Sequence, residues 1–368
     1  MKKVVHIMNS LLPSGAETML KVSASEWIGY DKYIVVTWEE LGAYAKELET
    51  AGYKICHVYD SNKYRQKNKL LLLIRNIAPN VVHIHCEEQF LQYAKIAKEA
   101  GVPVVIRTVH NAFRHTGRFL IKSIIYRKIA KYLGVRFVAI GKSVYDNEKR
   151  RYMNKCNYII NNWCNEDIYS PISEEFKLEH KKKYGLHKNT FTIVSVGNCN
   201  HIKNHKFVIK SLHKLVKEFN LRDDEVRYFH IGSGIEENSE RQLASRLGLM
   251  QYIVFEGRKD PLEYLQLCDL FVMPSIYEGL GISGLEAAFC GIPCLFTDVA
   301  GLEDFKEITS GNIFFSELNL EKFYTKFKYI YQNYRAGHLT NSFDEAKKVH
   351  ALYNMKRSVM QYMHAYEQ

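Results

Sequence analysis

The feature that most constrains this chain is a sustained alternation of two periodicities. Short apolar runs with strand character occur at Val4–Met8, Tyr33–Thr37, Lys54–Val58, Val81–His85, Val104–Val109 and Arg136–Ile140. Segments with a helical repeat lie between them, at Glu17–Ile28, Lys69–Ile77, Gln89–Glu99 and Leu120–Tyr132. The pattern pauses at CNEDIYSPISEE (164–175) and restarts. The second series has strand-like runs at Thr192–Val196, Arg227–Ile231, Tyr252–Phe255, Leu270–Met273 and Pro293–Phe296. Its helical segments are His205–Phe219, Glu237–Gly248, Leu262–Leu267 and Ser283–Cys290. Strands that alternate with helices form parallel sheets, because each crossover must travel back along the sheet. Two series predict an α/β chain with two Rossmann-like domains, 1–167 and 168–349, whose sheets face a central cleft. Asp344–Tyr366 reads as one long helix, with 350–368 expected to pack back on the first domain. Ligands of such sheets bind beyond the carboxyl ends of the strands.

Charge is distributed unevenly. Residues 1–172 hold 26 Lys and Arg against 15 Asp and Glu, a balance of +11, whereas 173–368 hold 25 of each. From Ala100 to Tyr145 there is no acidic residue, while Arg107, Arg114, Arg118, Lys122, Arg127, Lys128, Lys131, Arg136 and Lys142 are all basic. Such a field suits anionic lipid headgroups or phosphates, although a solvated basic face has the same composition. Nucleic acid is not indicated, since no base-reading module or run of exposed aromatics accompanies the charge. Within this stretch Leu120, Ile124, Ile125, Ile129 and Leu133 form an apolar helical stripe beside Arg114, Arg118, Lys122, Arg127 and Lys128, a pattern suited to lying on a membrane surface. No apolar run approaches the roughly 18 residues that span a bilayer. His6, Asn9 and Ser10 interrupt the leader-like start, which fits a strand better. The eight cysteines form no C-x-x-C pair, as expected of reduced thiols in the cytoplasm.

The segment PSIYEGLGISGLEAAFCGIPC (274–294) carries the chemistry. Gly279, Gly281 and Gly284 have the G-x-G-x-x-G spacing, and Asp298 follows nineteen residues after Gly279 where a dinucleotide ribose would need an acid. The loop SIYE is too long for that tight turn, and the motif lies late in its domain. Ser283 to Glu286 also reads as a capping box, which leaves Glu278, Gly279 and Gly281 unexplained. A third reading uses them all: the glycines admit a ligand close to the backbone, and the free amides of Gly281 to Ser283 hold a diphosphate. Glu286 then accepts from sugar or ribose hydroxyls, and Glu278 lies beyond the other end of the diphosphate.

YEGLGISGLEAAFCGIPC resembles the E-x7-E segment of retaining GT-B glycosyltransferases, in particular glycosyltransferase family 4. Other stretches follow in that family's order: HIMNSLLPSGAETML, VVHIHC, VIRTVHN, YIINNWCNEDIYSP, VSVGNCNHIKNHKFVIKSL, YFHIGSG and VFEGRKDPLEYLQLCDLFVMPSIYEG. The resemblance spans nearly the whole chain and implies the GT-B fold, with an acceptor-binding first domain and a donor-binding second domain. It implies that Glu278 contacts the donor sugar and Glu286 the ribose, with the backbone of Gly279, Leu280, Gly281, Ile282 and Ser283 around the diphosphate. Lys203 matches the lysine that neutralises the leaving diphosphate, His110 the histidine beside the transferred sugar, and Gly15 the loop glycine that closes on the donor. The family's arginine is replaced by Asn198, so either Lys203 or Arg258 compensates or the donor is held more through backbone N–H groups. Gly232 belongs either to the donor site or to a plain turn. For His110 the alternative is a histidine that satisfies a carbonyl, and for Lys203 a solvated one.

The implied reaction moves a sugar from a nucleoside diphosphate, UDP before GDP, to a hydroxyl with retention at the anomeric carbon. No D-x-D motif stands out, so neither a metal nor a cofactor is expected. The expected partners are the nucleotide-sugar donor, a lipid-linked or other saccharide acceptor, and an anionic membrane surface. The implied setting is bacterial capsule, exopolysaccharide or lipopolysaccharide synthesis, on the inner face of the cell membrane. A non-catalytic nucleotide-sugar binder and an enzyme with a small soluble acceptor are the alternatives.

Overall fold

A computed structural model describes residues 1–12, 14–308 and 311–368. The chain divides into two units, Met1–Asn165 with Tyr353–Gln368, and Glu166–Leu352. The first contains strands β1 (Lys2–Met8), β2 (Tyr30–Val36), β3 (Lys54–His57), β4 (Val81–Ile84), β5 (Val104–Val109), β6 (Arg136–Ala139) and β7 (Tyr158–Ile159). They form one parallel sheet in the order β3-β2-β1-β4-β5-β6-β7. The second contains β8 (Phe191–Val196), β9 (Val226–Ile231), β10 (Ile253–Gly257), β11 (Leu270–Met273), β12 (Cys294–Thr297) and β13 (Ile313–Ser316). Its parallel order is β10-β9-β8-β11-β12-β13. Each order reverses once, between β1 and β4 and between β8 and β11, which is the doubly wound arrangement of a Rossmann-like sheet.

The central strands are apolar on both faces because helices cover both, whereas the edge strands β3 and β7 are partly exposed. β4, β11 and β12 are buried throughout. In the second unit Ile193, Leu212, Tyr228, Phe323, Phe327 and Ile330 belong to one core, and in the first Met8, Leu11, Ile34, Val36 and Leu48 form another. Each such side chain contributes about 2–3 kcal/mol relative to exposure.

The helices expected from Lys69 and Leu120 start earlier, at Lys63 and Gly117, and two others differ in kind from the sequence expectation. The C-terminal segment is not one helix. Phe343–Leu352 and Met355–Glu367 are separate, and the Asn354 side chain accepts from the Arg357 amide at 2.9 Å, which starts a new helix there. The first lies in the second unit and the other in the first unit. Likewise the segment expected over Glu17–Ile28 is helical only from Gly15 to Val22, followed by the tight turn Ala24–Glu26. There the Ser23 hydroxyl donates to the Met19 carbonyl at 2.7 Å and accepts from the Trp27 indole at 3.2 Å, diverting the chain.

The loops at the carboxyl ends of β8 and β9 touch through backbone. A Cβ on Gly232 would lie 1.9 Å from the Gly197 carbonyl oxygen, and one on Gly234 2.5 Å from that of Cys199. The Cys199 amide donates to the Ser233 carbonyl at 3.0 Å, and the Gly232 amide to the Gly257 carbonyl at 2.7 Å. Gly232 is therefore required for close approach as well as for its φ of +145°. Gly232→Ala should cost about 3 kcal/mol or more, combining the clash with the strained dihedral. Gly248→Ala has φ +69° but nothing within 4 Å of its Cβ, so it should cost only about 1–2 kcal/mol. Thermal unfolding of the two variants checks this, and equal losses would remove the packing argument.

Candidate active site

The reversal between β8 and β11 sets two loops side by side, one carrying Asn198 and Lys203 and the other running from Pro274 to Gly281. They are laced by backbone and side chain. The Ile276 amide donates to the Ile202 carbonyl at 2.8 Å, and the Asn204 amide group to the Pro274 carbonyl at 3.2 Å. On this base the Lys203 ammonium meets Glu278 Oε1 at 2.6 Å, and the Ser275 hydroxyl donates to the same oxygen at 2.7 Å. Lys203 and Glu278, 75 positions apart, thus form one ion pair. Gly301 packs against the Glu278 backbone, where a Cβ would fall 2.3 Å from its carbonyl oxygen.

The helix after this loop starts at Ile282, with Gly281 at its N-cap in the left-handed region at φ +77°. A Cβ at Gly281 would meet Met273 Sδ at 2.8 Å, so glycine is needed for space as well. The first intrahelical bond runs from the Leu285 amide to the Gly281 carbonyl, which leaves the amides of Ile282, Ser283 and Gly284 without helical acceptors. The expected amides of Ile282 and Ser283 are among them, and Gly284 is a further one. The capping box is excluded: the Ser283 hydroxyl donates to the Val196 carbonyl at 3.0 Å, tying this helix to the end of β8. Glu286 lies inside the helix and is buried. Burial pushes its carboxyl up to about 8, against a smaller opposing effect of a hydrogen bond from Tyr169, so it is mostly the neutral acid at pH 7. Asp298, the acid of the dinucleotide reading, is paired with Lys306 at 2.5 Å. Asn198 is exposed. Arg258 is exposed too and donates to the Ser233 hydroxyl at 2.9 Å, beside Gly232.

In the first unit Gly15 opens the helix Gly15–Val22 after Ser14, whose hydroxyl bonds the buried Glu17 carboxyl. Burial raises Glu17 to about 7. His110 follows β5, and its Nε2 is 2.8 Å from Nδ1 of His85. His85 Nε2 is in turn 3.0 Å from Nδ1 of His6. Burial lowers His110 to about 4, helped by Arg107, and His6 to about 3. His83 bonds the Tyr366 and Thr108 hydroxyls, each at 2.7 Å. The sequence reading gave no role to His6, His85, Glu17 or Ser275. The alternation His83-x-His85 was the available signal, since period two puts both rings on one face of the sheet.

Among the described residues two clusters bring three ligand-type atoms within 4.8 Å, namely His6, His83 and His85, and Cys199, His230 and Glu240. In both, hydrogen bonds among the side chains or to hydroxyls account for the proximity. Neither includes Lys203, Glu278 or Glu286.

The basic stretch is divided by burial. Arg114, Arg118, Lys122 and Lys128 are exposed. Arg127 is not, at 1% exposure. It pairs with Glu148 at 2.8 Å and Glu87 at 3.1 Å, and its guanidinium stacks 4.0 Å from the Tyr152 ring centre. Arg127 therefore cannot meet a membrane, because its charge is spent inside the fold. The expected apolar stripe is also corrected: Leu120, Ile124, Ile129 and Leu133 are half-buried, and the exposed apolar residues are Phe119, Ile121, Ile125 and Tyr132.

Residues 176–349 match the family described as glycosyl transferases group 1. The putative glycosyltransferase EpsF of Bacillus subtilis is 26% identical over 321 residues, 81% of this chain and 79% of that protein. An Escherichia coli enzyme named UDP-Gal:alpha-D-GlcNAc-diphosphoundecaprenol alpha-1,3-galactosyltransferase is 27% identical over 63% of this chain and 61% of its own length. Among solved structures, Anabaena Alr3699/HepE in complex with UDP and glucose superposes with a TM-score of 0.80 at 15% identity, covering 99% of both chains. A glycosyltransferase from Rickettsia africae gives 0.80 at 16% identity, over 100% of this chain and 98% of that one. With two doubly wound sheets in the chain, a match of residues 176–349 to the glycosyl transferases group 1 model and full-length likeness to solved GT-B structures, the protein is a glycosyltransferase of the GT-B fold.

Proposed function

We propose that the protein is a retaining glycosyltransferase that moves a sugar from a nucleoside diphosphate, UDP in preference, to a hydroxyl of a lipid-linked saccharide. The observation that carries this reading is that the Lys203–Glu278 pair joins the loops after β8 and β11, the second of which leads into the helix that holds the free amides of residues 282–284 and Glu286. Support for the donor comes from the UDP bound by the Anabaena protein, and for the acceptor from the diphosphoundecaprenol substrate named for the Escherichia coli relative. A Staphylococcus aureus relative named for capsular polysaccharide biosynthesis, 26% identical over 78% of this chain, supports the setting.

In this reading the amides of Ile282, Ser283 and Gly284 hold the diphosphate, and Lys203 neutralises the charge that develops as the bond to the anomeric carbon breaks. The acceptor oxygen attacks from the face the diphosphate leaves, and a departing phosphate oxygen takes its proton. Glu278 holds a sugar hydroxyl and keeps Lys203 in place. Glu286, as a neutral acid, both donates to and accepts from the ribose. His110 and Gly15 act from the first unit on the sugar and the diphosphate. Arg258 and Asn198 flank the donor through the β8 and β10 loops.

UDP release from UDP-glucose, UDP-galactose and UDP-N-acetylglucosamine, with GDP-mannose for comparison, tests the donor. Glu286→Ala should weaken donor binding by about tenfold, the loss of roughly one good hydrogen bond to a polar ligand. Glu286→Gln, which keeps a donor and an acceptor, should lose much less at pH 7. Glu278→Gln should lower turnover at least as much as binding. Wild-type turnover in both Glu278→Gln and Glu286→Ala would overturn the site.

The charge work is assigned to Lys203 and the helix amides, so turnover should survive EDTA. Loss on chelation, restored by Mg²⁺ or Mn²⁺, would count against that assignment.

For the acceptor we propose docking on an anionic leaflet. Arg118, Ile121, Lys122, Ile125, Lys128 and Tyr132 recur at helical spacing on the helix Gly117–Tyr132, and all six are exposed. Among the described residues no helix is long and apolar enough to cross a membrane, so attachment would be peripheral. Each basic residue near an anionic leaflet contributes about 1 kcal/mol within a Debye length of about 8 Å. The protein should sediment with phosphatidylglycerol vesicles at low salt and be released at high salt. Arg118→Glu, Lys122→Glu and Lys128→Glu together should abolish this and spare donor hydrolysis. Parent-like binding by the triple variant would sink the proposal.

A further inference from the structure

The imidazoles of His6, His85 and His110 form a hydrogen-bonded row, Nδ1 of His6 to Nε2 of His85 at 3.0 Å and Nδ1 of His85 to Nε2 of His110 at 2.8 Å. Sheet register builds it. β1 and β4 are neighbours with His6 opposite His83, so the His85 ring, two residues on, stands over the same face. β5 lies beside β4 and delivers His110 just past its end. Neighbouring rings are nearly parallel, tilted 33° between His6 and His85 and 25° between His85 and His110.

A neutral imidazole has one N–H and one lone pair. Each contact in the row therefore needs an N–H from one ring and a lone pair from the other, and setting one tautomer sets all three. Only two polarities exist. In one, every N–H points toward His110, whose Nε2 accepts and whose Nδ1 carries the proton. In the other, every N–H points toward His6, whose Nε2 carries the proton. His6 Nε2 is buried and has no hydrogen-bond partner, enclosed by the rings of Trp27 and Tyr53 with centroids 6.0 Å away. The second polarity strands an N–H there, and orphaned buried N–H groups are rarer than unsatisfied acceptors. The first leaves only a lone pair. Burial keeps the three rings neutral at pH 7, which preserves the one-donor, one-acceptor condition.

We propose that His85, seated on His6, is a positioning residue that holds His110 as the Nδ1–H tautomer, so that His110 offers a hydrogen-bond donor rather than a lone pair to an oxygen of the substrate. This rests on the reading of His110 as a group that touches the sugar. The row itself is independent of that reading. Holding an imidazole in one tautomer has large kinetic consequences where the ring acts on substrate.

Long-range proton–nitrogen correlation on 15N-histidine-labelled protein reports which ring nitrogen is protonated, with the His110 signals assigned by their loss in His110→Gln. The parent should show His110 protonated at Nδ1 and bare at Nε2. An Nε2–H on His110 overturns the proposal with no variant needed. His85→Ala should let His110 take both tautomers and lower the turnover of UDP-glucose hydrolysis by about tenfold or more, with its KM within about twofold. His85→Asn, which can set an N–H where Nδ1–H stood, should restore most of the loss. An unchanged His110 spectrum in His85→Ala overturns the proposal. Parent-like turnover in His110→Gln, with the Nδ1–H spectrum present in the parent, overturns instead the role given to His110 in the reaction.

Discussion

Among the described residues every pair of neighbouring strands is parallel, and that constraint determines where the chemistry of the protein can be placed. A parallel pair must be joined by a crossover, so all strands of a sheet end on the same edge and all their outgoing loops gather there. Where the strand order reverses, crossovers leave toward opposite faces and the two outgoing loops part around a crevice. In the second unit those loops follow β8 and β11 and supply Lys203 and Glu278. In the first they follow β1 and β4 and supply Gly15, Glu17 and His85. Gly232 and Gly301 then let neighbouring loops close to backbone contact, and Gly281 leaves room for the Met273 side chain. The ion pair and the helix amides are fixed by this scaffold before any ligand arrives.

The same sheets are covered by helices that do not all bury apolar faces. Helix Glu174–Lys183 buries Lys177 and Lys181, which hold the two oxygens of Asp269 at 2.8 and 2.7 Å. Asp269 also accepts from the Thr192 amide at the start of β8. Helix Gly117–Tyr132 buries Arg127, which pairs with Glu148 from Lys142–Tyr152 and with Glu87 after β4. Replacing such networks with apolar side chains can be neutral or stabilising, but removing one partner leaves a buried charge at a cost of about 3–5 kcal/mol. Their geometry is more restrictive than apolar contact: the Arg127 network ties its helices to the loop after β4, beside His85, and the Asp269 network ties its helix to the amino ends of β8 and β11.

These networks explain what could be read from the sequence. Most strands were legible because burial on both faces makes them continuous apolar runs, with the largest shift at β2, which starts at Tyr30 rather than Tyr33; the half-buried edge strands β7 and β13 were missed. Helix Lys206–Phe219 was legible because Val208, Ile209, Leu212 and Leu215 repeat at helical spacing. EEFKLEHKKK and KSVYDNEKRRY were not, since their inward residues include Lys177, Lys181 and Glu148, and a buried lysine looks like a solvated one until its acid is known. Arg127 was misjudged for the same reason. The E-x7-E loop was legible as chemistry because three glycines and two acids had no economical structural purpose. The capping box failed because Ser283 found an acceptor at the end of β8, a contact 87 positions away that no local pattern contains.

The Lys203–Glu278 pair has a consequence for how the reaction would start. Without donor the lysine charge is already balanced by a buried carboxylate that also accepts from Ser275. In the proposed complex a diphosphate would bring its own negative charge toward Lys203, and the ammonium would be shared between two anions unless Glu278 gained another donor. A sugar hydroxyl is such a donor. Binding the sugar to Glu278 then releases part of the lysine's field toward the leaving group, and the two ends of the substrate are coupled through one ion pair. A nucleoside diphosphate without sugar would lack that second donor and meet a lysine still held by its carboxylate. On the proposed reading the pair would favour the intact donor over the product that must leave, which is the direction turnover requires.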